Sequence, residues 1–352
     1  MSLGPIMFDL QGPELLAEER DLLQHPLAGG IILFDRNYRT PEQLTRLVAD
    51  IRACQESPLL VSVDHEGGNV QRFRDPFTNL PVPARFGEIH DRDPVMACGL
   101  AEQYGWVMAV ELRAHNVDFS FAPVLDLGKG QSKVIGRRAF HGDPEVVAKL
   151  AKSFLRGVRR AGMAAVGKHF PGHGTVEADS HVDTPVDERT LDNIWSEDLI
   201  PFRQIIHAGL PAIMPAHVIY PEIDDKPAGF SSVWLRSVLR ERLGFQGAIF
   251  SDDITMAGAN IASKASDRAQ AALDAGCDMV LVCNDRQGVQ DILNELGEHH
   301  DVDQAGRATR LAQMHGHGQC HWNDLLSWDN YRQAVSALSA LEPDRTHDRE
   351  SA

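Results

Sequence analysis

The stretch Met163-Ala164-Ala165-Val166-Gly167-Lys168-His169-Phe170-Pro171-Gly172-His173-Gly174 sets the terms for the rest of the chain. Its first part is a short apolar run, too brief for a helix, and it reads as a strand buried on both faces. Its second part packs a cation and imidazoles around glycines and a proline, and continues to Asp179-Ser180-His181. Such side chains gain little from burial and cost much when desolvated unpaired. Folding alone does not account for them, so the strand ends at a functional rim.

Seven similar runs lie outward from it: Pro5 to Leu10, Gly29 to Phe34, Leu59 to Asp64, Val117 to Val124, Ala212 to His217, Ala248 to Asp253 and Met279 to Asn284. Amphipathic stretches with helix start signals separate them. In Thr40-Pro41-Glu42-Gln43, Thr40 is placed as N-cap, Pro41 at the first helical position and Gln43 to close a capping box; Leu44, Leu47, Val48 and Ile51 follow at helical spacing. Asp143-Pro144 opens a second such helix, and Gly162, Gly209, Gly244 and Gly276 stand where helices stop. Eight strands alternating with helices predict an α/β fold, a single (β/α)8 TIM barrel whose site lies at the strands' C-terminal ends. Those ends carry Asp9, Asp35-Arg36, Asp64-His65-Glu66, Asp126, Lys168-His169, His217, Ser251-Asp252-Asp253 and Asn284-Asp285. A doubly wound open sheet is the second choice. One domain is expected over residues 1–342, with a helix from Val289 to Leu296, then a His-rich irregular segment and a disordered tail over 343–352.

Composition narrows the class. The 352 residues are 43% hydrophobic and 24% charged, an ordinary globular balance, and the net charge of -16 argues against nucleic acid or an anionic membrane as partner. No apolar run approaches the roughly 20 residues that span a bilayer, and Met1-Ser2-Leu3-Gly4-Pro5 lacks the features of a secretory signal. The five cysteines, Cys54, Cys98, Cys277, Cys283 and Cys320, are widely spaced and read as small core residues in a reducing compartment. A cytoplasmic enzyme is expected.

Several groupings carry chemistry. In Asp179-Ser180-His181 a carboxylate accepting a hydrogen bond from the imidazole fixes its tautomer and raises its basicity, giving a proton shuttle near neutral pH; a structural surface pair is the alternative. In Ser251-Asp252-Asp253 a strand-tip carboxylate serves as nucleophile, base or metal ligand, while Asp also caps helices. One of the two can cap and the other react, and spacing does not say which. Asp64, Arg72, Arg137-Arg138 and Lys168-His169 suit a polyhydroxylated or anionic ligand, although Arg72 beside Phe73 and Arg74 equally suits solvated surface. His169, His173, His181 and His217 with Asp64 and Asp252 invite a metal-hydrolase reading, against which there is no His-x-His at a strand end. His315-Gly316-His317 with Cys320-His321 is read as a solvated loop. No metal or cofactor is expected.

Taken together, Lys168-His169-Phe170-Pro171-Gly172-His173-Gly174 with Asp179-Ser180-His181, Val63-Asp64-His65-Glu66-Gly67-Gly68, Phe121-Ala122-Pro123-Val124-Leu125-Asp126, Pro215-Ala216-His217 and Phe250-Ser251-Asp252-Asp253 resemble, in order, the motifs of glycoside hydrolase family 3. The resemblance runs from about Pro5 to Asn284 and is narrowest to the β-N-acetylglucosaminidases of bacterial peptidoglycan recycling. It implies a (β/α)8 barrel without a second domain and a retaining, two-step hydrolysis. By the resemblance, Asp252 is the nucleophile, His181 the acid/base on a mobile loop and Asp179 its orienting partner; Asp64, Arg72, Arg138, Lys168 and His169 bind the sugar. Retaining enzymes ordinarily use two carboxyl groups, so here a histidine stands in for one. Two residues depart from the family pattern: His65 where glutamine is usual, and Arg137 where an acidic residue is common. The implied substrate is an N-acetylglucosaminyl-anhydromuramyl peptide or a chitobiose-like small molecule; the sequence leaves the oligomeric state open, with a monomer slightly favoured. Rivals are a glycoside phosphorylase on the same scaffold, a non-catalytic sugar-binding protein and a metal-dependent hydrolase.

Overall fold

The runs picked out above form the strands of the computed structural model, which describes residues 3–130, 132–176, 184–296, 304–318 and 320–341. They are β1 (Ile6–Asp9), β2 (Ala28–Leu33), β3 (Leu60–Val63), β4 (Phe119–Ser120), β5 (Ala164–Phe170), β6 (Ala212–Pro215), β7 (Ala248–Ile249) and β8 (Val280–Val282). Apart from the first residue of β5 every position in them is buried, as continuous apolar runs require. Neighbours are parallel throughout, in the order β7-β6-β5-β4-β3-β2-β1-β8. The order follows the chain until β8 returns beside β1, without the reversal that defines a doubly wound sheet.

The result is a curled eight-stranded parallel sheet. Its end strands also approach each other: Phe250 bridges Met279 in parallel fashion, and Ser251 N–H donates to the Met279 carbonyl at 2.9 Å. Phe119 and Phe121, from the region of β4, meet Phe250 beyond β7 with ring centroids 5.1 and 5.7 Å apart. Strands that are not neighbours therefore fill one interior with the same apolar core.

Helices cover the outside: α1 (Ala17–Leu23), α2 (Pro41–Arg52), α3 (Pro94–Arg113), α4 (Pro144–Arg160), α5 (Leu199–His207), α6 (Val233–Arg242), α7 (Ala265–Ala275) and α8 (Arg286–Glu295). Thr40 caps α2 by accepting from Gln43 N–H at 3.2 Å, and Asp143 caps α4 by accepting from Glu145 N–H at 2.8 Å. The Gln43 side chain does not complete the expected capping box. It accepts from Arg39 N–H at 2.8 Å and donates to the Pro13 carbonyl at 2.6 Å, tying the loop after β1 to α2. Gly276 ends α7 with φ 127°, a conformation that favours glycine.

The segment beyond α8 departs from the irregular chain expected of it. It forms helices over Gln304–Ala312, Trp322–Leu325 and Asp329–Ser339. Two buried aspartates at the strands' N-terminal ends hold it. Asp118 accepts from Arg52 at 2.8 Å and from Gly316 N–H at 3.0 Å; Asp278 accepts from Arg240 at 3.0 Å and Arg310 at 2.6 Å. The His315–His317 stretch is thus partly docked on the sheet's underside rather than solvated throughout. The expected tail over 343–352 lies outside the described residues.

Glu111 of α3 gives this docking a pH dependence. It is wholly buried and accepts from Thr78 N–H at 3.1 Å, from the Thr78 hydroxyl and from the Tyr331 hydroxyl of the last helix. Burial outweighs these donors and pushes its carboxyl up to about 7, from an ordinary value of 4.5. The folded state then holds the proton more tightly than the unfolded chain, so this contribution is complete below 4.5 and is lost as pH rises through about 7. Glu111→Gln keeps an acceptor and removes the ionisation. In thermal unfolding the variant should gain on wild type as pH is raised across that window; a difference that stays flat or changes the other way refutes the assignment.

Candidate active site

The strands' C-terminal ends enclose a cavity of about 280 Å³. Asp64 leaves β3, and the chain turns back at once, His65–Gly67 pairing antiparallel with Val70–Gln71. This hairpin carries Glu66 and Arg72 to the cavity wall. β5 delivers Lys168 and His169, the turn after it His173, and the tip of β7 Asp252 and Asp253; Arg138 arrives from the connection between β4 and α4. Phe34, beyond β2, lies at 5.2 Å from the Arg72 guanidinium and 4.6 Å from that of Arg36, a cation–π arrangement at the wall. Arg72 is therefore a cavity residue and not solvated surface.

Four of these charges form one network around the buried Lys168 and Glu66. Lys168 Nζ lies 2.8 Å from Asp64 and 2.7 Å from Glu66. Arg138 donates to both Glu66 oxygens at 2.7 and 2.8 Å, the paired geometry that a guanidinium provides. Burial opposes the ionisation of Glu66, but Arg138 and Lys168 overcome it and hold the carboxyl well below its usual range. The same anions hold Lys168 above its ordinary value against its own burial. Glu66, Lys168 and Arg138 thus stay charged. A sugar's hydroxyls can exchange hydrogen bonds with the free lone pairs and N–H groups of such a set.

A second arrangement orients the imidazoles. Buried Asp126 accepts from His169 Nδ1–H at 2.7 Å and from His173 N–H at 2.7 Å. With its Nδ1 proton committed, His169 keeps Nε2 for the cavity.

The Asp252-Asp253 pair divides its work. Asp253 accepts from Thr255 N–H at 3.0 Å, the Thr255 hydroxyl at 2.7 Å and Cys283 N–H at 3.1 Å. It caps the turn and ties β7 to β8. Asp252 accepts from Asp253 N–H at 2.8 Å and lines the cavity. Burial works against its charge, yet His217, His169, the Asp253 amide and Lys168 hold it below the usual carboxylate range. Asp253 moves the other way, pushed up to about 6 chiefly by burial. His217, behind the tip, donates from Nε2 to the Asp253 carbonyl at 3.1 Å.

Of the residues singled out in the sequence, Asp64, Arg72, Arg138, Lys168, His169 and Asp252 share this cavity. Asp179 and His181 lie outside the described residues. Glu66 and Asp126 were not chosen as site residues, although each stood in a quoted motif at a strand end; their pairing with Arg138 and His169 is set by tertiary contacts. The two departures from the family pattern leave the cavity alone. His65 is fully buried against Phe73 and Phe77, at 5.7 and 5.8 Å, and burial pushes its imidazole down to about 3. Arg137 turns outward to Glu88 at 3.0 Å. Among the described residues no three His, Cys, Asp or Glu side chains are placed to hold one metal ion.

A carboxylate held ionised among hydroxyl-binding groups fits a glycoside hydrolase, and the relatives agree on that class. The chain belongs to glycosyl hydrolase family 3, whose N-terminal domain it matches over residues 7–313. It is 58% identical over 318 residues to a β-hexosaminidase of Thiobacillus denitrificans, covering 90% of this chain and 88% of that protein. It is 54% identical to a β-hexosaminidase of Thioalkalivibrio sulfidiphilus, covering 97% of each. Among solved structures, NagZ from Neisseria gonorrhoeae in complex with N-trifluoroacetyl-D-glucosamine superposes with a TM-score of 0.91 at 42% identity, over 97% of this chain and 98% of that one.

The buried network makes a direct prediction. Lys168→Met strands Asp64 and Glu66 with one cation fewer, and breaking a buried pair in this way costs about 3–5 kcal/mol. Denaturant unfolding should register that loss. A variant within about 1 kcal/mol of wild type, the most that an exposed pair is ordinarily worth, means that the network is solvated rather than buried.

Proposed function

We propose that this enzyme is a retaining, exo-acting β-N-acetylglucosaminidase that removes terminal β-linked N-acetylglucosamine from N-acetylglucosaminyl-anhydromuramyl peptides during cell-wall recycling. The observation that carries this is Asp252, a partly buried carboxylate held ionised at the β7 tip and open to a cavity walled by the Lys168–Asp64–Glu66–Arg138 network. A cavity of about 280 Å³ is at the small end of ligand pockets, which suits one terminal sugar. The β-hexosaminidase relatives and the gonococcal NagZ bound to an N-acylated glucosamine support a 2-acylamino sugar in it.

In this mechanism Asp252 attacks the anomeric carbon while the bond to the leaving oxygen breaks, and His181 gives that oxygen its proton. The product of the step is a glycosyl ester of Asp252. Water then attacks the same carbon, His181 takes its proton and Asp252 departs, so two inversions retain the configuration. Asp179 orients His181 and raises its basicity, doing for an imidazole what burial does for a carboxylic acid in other retaining enzymes. Asp64, Arg72, Arg138, Lys168 and His169 bind the sugar's oxygens, and His169 is fixed for that by Asp126. No metal or cofactor enters the scheme. We also take the curled sheet to be a closed (β/α)8 barrel within one domain over residues 1–342, which the Phe250–Met279 bridge and the backbone bonds beside it support. The protein acts as a cytoplasmic monomer.

Chromophore release from an aryl β-N-acetylglucosaminide, with chelator present and phosphate absent, tests the proposal. Wild type should turn over, and Asp252→Ala should lose at least about 10³-fold in kcat/KM, as removal of a nucleophile does. Because Asp252 must be ionised to attack and its carboxyl is held low, the acidic limb of kcat/KM should lie below the usual carboxylate range. Turnover that waits for added phosphate makes the enzyme a phosphorylase; turnover that waits for metal replaces the mechanism.

A further inference from the structure

We propose that Arg189 is a positioning residue for acid catalysis, its guanidinium joining the two ends of the chain segment that carries Asp179 and His181. The role depends on His181 being the proton donor, as argued above.

Asp179 and His181 lie between Val176 and Thr184 in the chain. Arg189 reaches both sides of that interval. Upstream, its Nη2 donates to the Thr175 hydroxyl at 2.6 Å. Downstream, Nε and Nη2 donate to Asp187 at 2.9 and 2.7 Å. Thr175 in turn donates to Asp187 at 3.3 Å, so the two ends also meet directly. The remaining arm, Nη1, donates to Asp198 at 2.6 Å; that carboxylate is buried at the start of α5.

Each end is fixed to the scaffold as well. A Cβ on Gly174 would fall 2.0 Å from the Leu127 carbonyl oxygen, so the upstream end is pressed against the connection after β4. His173 N–H is held by Asp126 at 2.7 Å, and the Gly172 carbonyl accepts from the Tyr220 hydroxyl at 2.7 Å. On the downstream side Asp187 N–H donates to the Ile219 carbonyl at 2.8 Å, and Ile219 N–H donates to the Pro185 carbonyl at 2.9 Å. The guanidinium thus closes a ring of contacts through Thr175, Asp187 and Asp198. A planar fork with five N–H groups holds three partners at set angles, which a lysine cannot do.

Arg189, Thr175, Asp187 and Asp198 are not among the residues that line the substrate cavity. A change at Arg189 therefore acts on catalysis through the segment it ties and leaves the sugar-binding groups and Asp252 in place. Its mark is a loss confined to the proton transfer. A dinitrophenolate departs without a proton, whereas a methoxyphenolate needs one, and kcat/KM reports the first bond-breaking step for both.

The experiment compares kcat/KM on the dinitrophenyl and methoxyphenyl β-N-acetylglucosaminides for wild type, Arg189→Ala, Arg189→Lys, His181→Ala and the double variant Arg189→Ala/His181→Ala, with thermal unfolding of each. Arg189→Ala should lose about 10²-fold on the methoxyphenyl substrate, a typical worth for general acid catalysis, and only a few-fold on the dinitrophenyl one. Arg189→Lys should recover part of that loss, and the double variant should be no slower than His181→Ala, since both changes remove one function. Equal losses on the two substrates, or full additivity with His181→Ala, overturn the proposal. Leaving-group selectivity in Arg189→Ala without it in His181→Ala overturns the proposal, which needs His181 as the proton donor. Selectivity in neither overturns both assignments.

Discussion

Lys168 does not stand buried on a central strand without anions beside it. Its side chain is 4% exposed, and Asp64 and Glu66 stand within 2.8 and 2.7 Å of the ammonium. Taking such charges out of water costs several kcal/mol each unless every one finds partners. Glu66 completes the set with the Arg138 fork. The hairpin after β3, the connection after β4 and the end of β5 therefore satisfy one another's charges or none. One wall of the cavity is assembled by that requirement, and its polar groups are held in place before any sugar arrives.

The two ends of the sheet put the same chemistry to different uses. At the N-terminal ends Asp118 and Asp278 are also buried carboxylates gripped by arginines, but their partners come from α2, α6 and the C-terminal segment. Their lone pairs are consumed by the scaffold, and they hold the tail segment beneath the curled sheet. At the C-terminal ends, hydrogen bonding stops short of saturation. Asp253 spends its oxygens on Thr255 and Cys283, while Asp252 beside it is left facing the cavity. This is the division expected of a parallel sheet wrapped by helices, with stability below and function above.

Much of this was legible in the sequence because a strand buried on both faces has to be apolar at every position. Eight such runs are visible, and all eight became strands. Thr40 and Asp143 were legible as caps because a cap is a local hydrogen bond. Gln43 does not close the box because its side-chain oxygen accepts from Arg39 N–H instead of Thr40 N–H, while its amide N–H reaches Pro13 in a distant loop. The helices past residue 304 were missed although Tyr331, Ala334 and Leu338 recur at helical spacing; what docks the first of them is an aspartate distant in sequence. Glu66 and Asp126 were passed over for a related reason: a carboxylate beside a strand end looks alike whether it binds a sugar, orients a histidine or caps a turn.

By itself, the sequence determined the parallel α/β architecture, the end of the sheet where the site lies, and six residues that now share one cavity. These follow from periodicity and from motifs carried within short stretches of chain. Only the tertiary structure decided which carboxylate of the Asp252-Asp253 pair is free, which anions keep Lys168 charged, and that His65 and Arg137 point away from the cavity. Those outcomes depend on which groups from different strands come within about 3 Å of one another, and no spacing along the chain encodes that.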